Sequence, residues 1–298
     1  MGTMQLSKSD FILLSVIHSV VFILLLIVLY PLIYVLSCSV SSPEYVAVGK
    51  IWLFPKGLTL LGYKRVFQDS AILTGYRNTF LYTVIGTFIN LIVTVPAGYS
   101  LSKSFVPGRN LVMGFFLFTM YFSGGLIPSF LLVRSLGLYN TPFVLVILGA
   151  FSVYNCIICR TFFSAVPREM EEAAIIDGAS TARTFFQVVL PVSQALLGVM
   201  VLYFAVGHWN SYFTAMIYIT SEKFKPLQLV LRKILILETA SAAMMESGGA
   251  DEYLGELYQV RELIKYAVIV VSSLPILVLY PFLQKYFVKG VMIGSVKG

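Results

Sequence analysis

Six long apolar stretches, about 11–36, 79–102, 111–133, 142–163, 185–217 and 266–284, alternate with shorter polar ones along the 298-residue chain. A bilayer core of ~30 Å takes roughly 20 apolar residues of helix, so each stretch predicts one crossing. The expected fold class is an all-α membrane protein with six transmembrane helices, whose termini lie on the same side. The fifth stretch is longer than one crossing needs. Its first turns, around Phe185 to Pro191, are expected to lie along the interface, with Pro191 marking the bend. Gly124-Gly125 followed by Pro128 predicts a kink or a close-packing point in the third. Two longer connections, about 38–78 and 218–265, hold further pattern. Tyr63 to Phe67 follows the turn signal Pro55-Lys56-Gly57, and Leu227 to Leu237 reads as an apolar helix interrupted by Arg232 and Lys233. That helix is expected to pack on the bundle, with a partner-docking surface as the alternative.

Composition agrees with a membrane solvent. Hydrophobic residues make up 58% of the chain and charged ones 12%, against roughly half and a quarter in soluble domains; mean hydropathy is +0.87. The net charge of +7 would suit a nucleic-acid binder in a soluble protein. Here the basic residues fall between apolar spans, where they meet lipid headgroups and set topology, so the expected partner is the bilayer and not nucleic acid. Basic residues in Lys103 to Arg109, in Arg160 to Arg183 and in the tail (Lys285, Lys289, Lys297) place both termini inside by the positive-inside rule. Lys64, Arg65, Lys223, Lys225, Arg232 and Lys233 sit in the longer outer loops, whose charge counts less. The first apolar run, Phe11 to Leu36, is too long for a cleaved signal core of about 7–15 residues and reads as an uncleaved span. Cys38, Cys156 and Cys159 offer no disulfide framework, and Cys156-Ile157-Ile158-Cys159 inside an apolar run reads as helix packing rather than a redox or metal site.

The central parts of the spans contain no Asp, Glu, Lys or Arg. Ion-coupled carriers place ionisable groups at that depth, which argues against a carrier or channel. Only two histidines exist, in different spans, which argues against a membrane enzyme. No GxxxxGK[ST] loop is present to cradle ATP, so energy for uphill transport would come from another subunit. His18 reads as structural. The densest polar cluster within a span is His208-Trp209-Asn210-Ser211-Tyr212. It combines hydrogen-bonding groups with aromatic faces that suit a sugar, making His208, Trp209, Asn210 and Tyr212 candidate pathway residues. The alternative is that Trp209 and Tyr212 belong to an aromatic belt while His208 and Asn210 bond neighbouring helices.

Residues 167–184 (PREMEEAAIIDGASTART) carry six charges between two apolar stretches. Pro167 suits the first turn of a helix, and Glu169, Glu171 and Glu172 lie near the positive end of its dipole. Ala173 and Ala174 read as small surface positions, Ile175 and Ile176 as apolar contacts, and Asp177-Gly178 as the helix end. Ser180 then caps a second helix through Phe185 and Phe186. Two short helices set at an angle by a glycine form a shape that docks into a groove on another protein.

Glu172-Ala173-Ala174, Gly178 and Val188-x-Leu190-Pro191 resemble, in type and spacing, the EAA loop of permease subunits of ATP-binding-cassette importers; Val188 stands where Ile is usual. Leu138-Tyr139-Asn140-Thr141, Arg160-Thr161-Phe162-Phe163, Trp209-Asn210 and Tyr286-Phe287-Val288-Lys289-Gly290 are similar to the carbohydrate-uptake branch. Ser42-Pro43-Glu44 with Trp52-Leu53-Phe54-Pro55-Lys56-Gly57 resembles its LplC-like group, whose members serve oligosaccharide importers. The resemblance covers nearly the whole chain. It implies a MetI-like type I importer fold in the bacterial plasma membrane. A first span and outer loop (1–78) would precede the core (79–284), which contains the loop 167–191, and a cytoplasmic tail (285–298) would follow. It also implies a second homologous permease, two cytoplasmic ATPases that bind ATP and Mg, and an extracellular solute-binding protein. Glu172, Ala173, Ala174, Asp177, Gly178 and Ala179 would form the coupling helix. The chain itself would hold no cofactor or metal and perform no covalent chemistry; a permease for a non-sugar solute is the nearest alternative.

Overall fold

The computed structural model describes residues 8–246, 263–281 and 284, and these are helical, with no strand among them. They divide into two compact units, 1–69 with 233–273 and 70–232 with 274–298.

The first unit begins with α1 (Lys8–Ser39), α2 (Pro43–Ala47) and α3 (Leu61–Gln68). Most of α1 is exposed apolar surface, as expected where lipid is the solvent. His18 Nδ1 lies 2.6 Å from the Leu14 carbonyl one turn back, a structural role. Only the end of α1 packs: Cys38 joins Val46, Ile51 and Leu263 in a small core, and Tyr34 meets Tyr266 edge-on at 5.9 Å. The connection from 40 to 60 is clasped by backbone and serine bonds. Ser42 N–H donates to the Lys56 carbonyl at 3.0 Å, Thr59 N–H to the Val40 carbonyl at 2.9 Å, and Ser37 Oγ to the Leu53 carbonyl at 2.5 Å.

The second unit holds α4 (Ser70–Ser102), α5 (Arg109–Tyr121), α6 (Leu126–Ser135), α7 (Phe143–Ile147), α8 (Val153–Ala165), α9 (Arg168–Ile176), α10 (Thr181–Thr184), α11 (Leu190–Val192), α12 (Gln194–Trp209) and α13 (Phe213–Tyr218). A π-turn over Phe185–Val189 joins α10 to α11. Helix α14 (Leu227–Glu246) starts in this unit and continues into the first, and α15 (Leu263–Pro281) likewise belongs partly to each.

The core of the second unit is the meeting of α4, α8, the π-turn and α12. Val95, Tyr99, Cys159, Phe163, Phe185, Val189, Leu196, Met200 and Phe204 bury their side chains together there. Small residues set the spacing: a Cβ on Gly98 of α4 would collide with the Cys159 side chain of α8. Cys156 and Cys159 are therefore packing residues, both fully buried, and no metal-binding cluster occurs among the described residues.

The apolar stretches give a more broken architecture than six straight spans. Among the described residues, helices α1, α4 and α15 are each long and apolar enough to cross, and the two bent pairs raise the number to at most five. Helices α5 and α6 meet at 112°, with the break at Phe122–Gly125, where Gly125 has φ +85°. The fifth stretch bends by 84° between Thr181–Val192 and Gln194–Trp209, so its early turns do leave the line of α12. The break is at Ser193, two residues beyond Pro191, and Ser193 Oγ donates to the Val189 carbonyl at 2.7 Å. The fourth stretch, 142–163, is interrupted between α7 and α8, because Ser152 caps α8 by accepting the Asn155 N–H at 3.3 Å.

The connection after α13 is tied back to α4. Asn78 donates to the Lys223 and Lys225 carbonyls at 2.7 and 3.0 Å, Tyr82 to the Phe224 carbonyl at 3.0 Å, and Thr79 accepts the Leu227 N–H at 2.8 Å. Asn140, in the left-handed region at φ 58°, accepts the Thr220 and Ser221 N–H groups at 3.0 and 2.9 Å. The helix expected from Leu227 is α14. The tail from 285 onward, with Lys285, Lys289, Lys297 and Tyr286 to Gly290, lies outside the described residues.

Candidate functional site

Two polar features interrupt the apolar second unit: the loop around α9 and a chamber among α4, α7, α8 and α12.

Helix α9 begins at Arg168, so Pro167 stands just before the first turn, at φ −56° and ψ 130°. Glu169 and Glu171 lie near the positive helix end. Its other end is a Schellman motif: Gly178 N–H donates to the Ile175 carbonyl at 3.0 Å and Ala179 N–H to the Ala174 carbonyl at 2.9 Å. Gly178 has φ +79°, which a side chain would oppose. Ser180 accepts the Arg183 N–H at 3.3 Å and starts α10 as expected.

Exposure sorts the residues of this loop. Glu172, Ala173, Asp177 and Gly178 face outward, and Ile175 and Ile176 are 61% and 85% exposed. Ala174 corrects the expectation of a surface position: it is buried and holds α9 against its own unit, while Ala179 is half-buried and bonds back to it. Glu171 is also turned inward. It pairs with Lys103 and accepts from the Tyr99 hydroxyl at 3.4 Å, and the Lys103 ammonium lies 4.4 Å from the centre of the Tyr99 ring. This clamp between α4 and α9 was invisible in the sequence because its members are 68 to 72 residues apart.

The chamber has a volume of about 330 Å³ and is lined by Asn90, Ser152, Asn155, Tyr203, His208, Ser211 and Thr214 among apolar neighbours. Ligand pockets begin near that size, about 300 Å³. Asn90 is buried; it donates to the Gly149 carbonyl, and its Oδ1 accepts from His208 Nε2 at 2.7 Å. The His208 ring occupies the space where a Cβ on Gly86 would stand, so Gly86 lets α12 present the imidazole to α4. These bonds explain the break in the fourth stretch. The Gly149 carbonyl, lost to helix pairing, is satisfied by Asn90, and irregular backbone at membrane depth is tolerated where it lines a cavity. The side chains of Asn155, Tyr203, Ser211 and Thr214 have no hydrogen-bond partner among the described residues, so their polar groups are available to a solute. No charged residue among the described ones lines the chamber.

Of the four pathway candidates, only His208 lines this chamber. Trp209 is buried and meets Tyr76 edge-on at 5.6 Å. Asn210 is the exposed C-cap of α12, and Tyr212 carries the Arg232 guanidinium 5.4 Å from its ring centre. Neighbouring residues of a helix point in different directions, and α12 ends at Trp209, so His208 and Trp209 diverge while Asn210 and Tyr212 follow the chain out of the helix. Asn90 and Asn155, far from this cluster in the sequence, are the ones the fold adds.

Broken apolar helices around an uncharged chamber, with a polar helical hairpin between two of them, are the features of a membrane permease subunit. The chain belongs to the family described as binding-protein-dependent transport system inner membrane component, which it matches over residues 70–293. It is similar to the protein LplC of Bacillus subtilis (strain 168), 40% identical and covering 91% of this chain and 90% of that one. It is also 37% identical to the polygalacturonan/rhamnogalacturonan transport system permease protein YtcP of the same organism, over 92% of this chain and 94% of the relative. Among solved structures it resembles a chain of a bacterial ABC transporter involved in the import of the acidic polysaccharide alginate. There the TM-score is 0.84 and the identity 35%, covering 96% of this chain and all of the other. The chain is a multi-pass membrane permease subunit of an ABC importer, working in general with a binding protein and an ATPase.

Proposed function

We propose that this permease forms half of the translocation pathway of a carbohydrate importer, with an oligosaccharide as cargo. Relatives are named for transport of polygalacturonan/rhamnogalacturonan, maltodextrin and melibiose/raffinose/stachyose, and the chamber's uncharged hydrogen-bonding lining suits hydroxyl groups. Asn155, Tyr203, Ser211, Thr214 and His208 would contact cargo, and Asn90 would hold His208 and the Gly149 break in place.

The observation that carries the coupling role is the exposed face of α9, anchored from behind by Ala174 and Glu171. Glu172, Ala173, Asp177 and Gly178, with Ile175 and Ile176, would seat in a cleft of a cytoplasmic ATPase; Ala174 and Ala179 would shape the helix end. The complex would comprise this chain, a second homologous permease, two ATPases that bind ATP and Mg and hydrolyse the nucleotide, and an extracellular solute-binding protein. It would lie in the bacterial plasma membrane with both termini of this chain cytoplasmic. Closure of the ATPase pair would draw the two coupling helices together and switch the pathway from inward to outward opening.

Reconstitution tests the reading. Uptake of oligosaccharide into liposomes is expected only with the second permease, the ATPases and the binding protein present. In that complex Glu172→Lys should lower cargo-stimulated ATPase by about tenfold, the equivalent of one charge-assisted contact. Uptake by the chain alone, or normal coupling in the variant, would refute it.

A further inference from the structure

Beside α9, on a different stripe of the helix from Ala173 and Ile176, lies a second cavity of about 530 Å³. Arg168, Glu171, Glu172 and Ile175 recur at i, i+3, i+4 and i+7 and form one wall. Lys103 and Phe105 after α4, Arg109 at the start of α5, and Arg160 and Phe163 near the end of α8 form the others. Lys103 and Glu171 neutralise each other. Three guanidiniums then face one remaining carboxylate, that of Glu172, and none of these four groups has an ion pair among the described residues. Arg109 and Arg160 are half-buried, so an unanswered charge on them is costly. Arg109 also opens the first turn of α5, whose cap carries no side-chain acceptor and whose first turn holds no acidic residue. A cation at the positive end of a helix is electrostatically misplaced unless an anion joins it.

The position identifies the anion. α4 ends, α5 begins and α8 ends around this cavity, which puts it where membrane-embedded helices meet water and where phospholipid phosphates lie. Phe105 is 73% exposed beside the basic groups, an apolar surface for acyl or glycerol carbons. We propose that this cleft binds the phosphate of an anionic phospholipid, held by Arg109, Arg160 and Arg168, at the back of the α9 loop. Arginine suits the task because its planar fork of donors fits phosphate oxygens. The lipid would fix α9 from the Arg168 and Glu171 side, with Glu172 and Ile175 standing at the rim between the cavity and the face proposed to meet an ATPase. The site does not depend on the cargo being a sugar.

The test uses the assembled importer, purified with native lipid and re-equilibrated with equimolar phosphatidylglycerol and phosphatidylcholine, with retained lipid read by native mass spectrometry. The wild-type complex should retain phosphatidylglycerol preferentially. Arg109→Gln with Arg160→Gln should reduce that preference by about tenfold or more, the scale of one lost charge-assisted bond. Arg109→Lys with Arg160→Lys should restore part of it, which separates loss of charge from loss of fold. Equal retention in wild type and the Gln pair would overturn the proposal. So would inorganic phosphate displacing the retained phosphatidylglycerol while protecting the wild-type complex in detergent to the same extent, since the ligand would then be a free anion.

Discussion

The α9 loop and the chamber are built in opposite ways. The loop is local: a cap, nine helical residues, a left-handed glycine and a second cap place Glu172, Ala173, Ile175 and Ile176 outward within a dozen residues. The chamber is assembled from afar, from Asn90, Gly149, Asn155 and His208 on four elements, through bonds spanning 59 and 118 residues. One region is an outward face, the surface proposed above to meet an ATPase, and the other is a cavity made by the chain folding on itself. Damage to the first should uncouple a permease that still assembles its pathway; damage to the second should spoil the pathway while the loop still docks.

The strongest break in this contrast is Gly178→Pro. Proline cannot adopt φ +79° and removes the N–H that closes on Ile175, a local cost of about 3 kcal/mol or more. Uptake and cargo-stimulated ATPase in the reconstituted importer should both fall to background, while membrane insertion, read by protease protection, stays normal. Asn90→Leu tests the other side. It leaves the Gly149 carbonyl unanswered and takes the Asn90 Oδ1 acceptor from His208 Nε2, about 1–3 kcal/mol for a stranded group. Thermal stability should drop by several degrees and uptake should fail at any cargo concentration, with the complex still co-purifying with its ATPase. Should Asn90→Leu release the ATPase instead, the separation of the two regions would not hold. The smallest effect is expected from Lys103→Gln, which removes the clamp on Glu171 but leaves the Schellman end intact. A loss near 2 kcal/mol confined to α9 should appear as faster hydrogen exchange at 168–176, with uptake reduced severalfold but not abolished.

How much was legible follows the same division. Helix ends depend on residues a few positions apart, so Pro167, Gly178 and Ser180 announced the α9 loop almost to the residue. Apolar length announced α1, α4 and α15. The interruption at 148–152 gave no comparable signal, because Gly149 and Ser152 in an apolar run read equally well as small packing residues in a continuous span. The break exists because Asn90 supplies the bond that the Gly149 carbonyl loses. Ala174 looked like its neighbour Ala173, and only its rotation toward the core separates an anchor from a contact. The cluster from His208 to Tyr212 drew attention as a run, yet helical rotation and the end of α12 disperse it, and His208 reaches the chamber because Gly86 leaves room for its ring.

The sequence by itself determined that the solvent is largely lipid, that the central parts of the spans carry no charge, and where one polar hairpin must stand out of them. These are properties of hydrophobic length and of caps acting within one turn. Tertiary structure alone decided which polar side chains meet, which helices break, and which faces of α9 are outward, inward or turned to the basic cleft. Those outcomes depend on close approach between α4, α8 and α12, and in a low-dielectric interior each broken backbone bond must find a partner that chain order does not reveal.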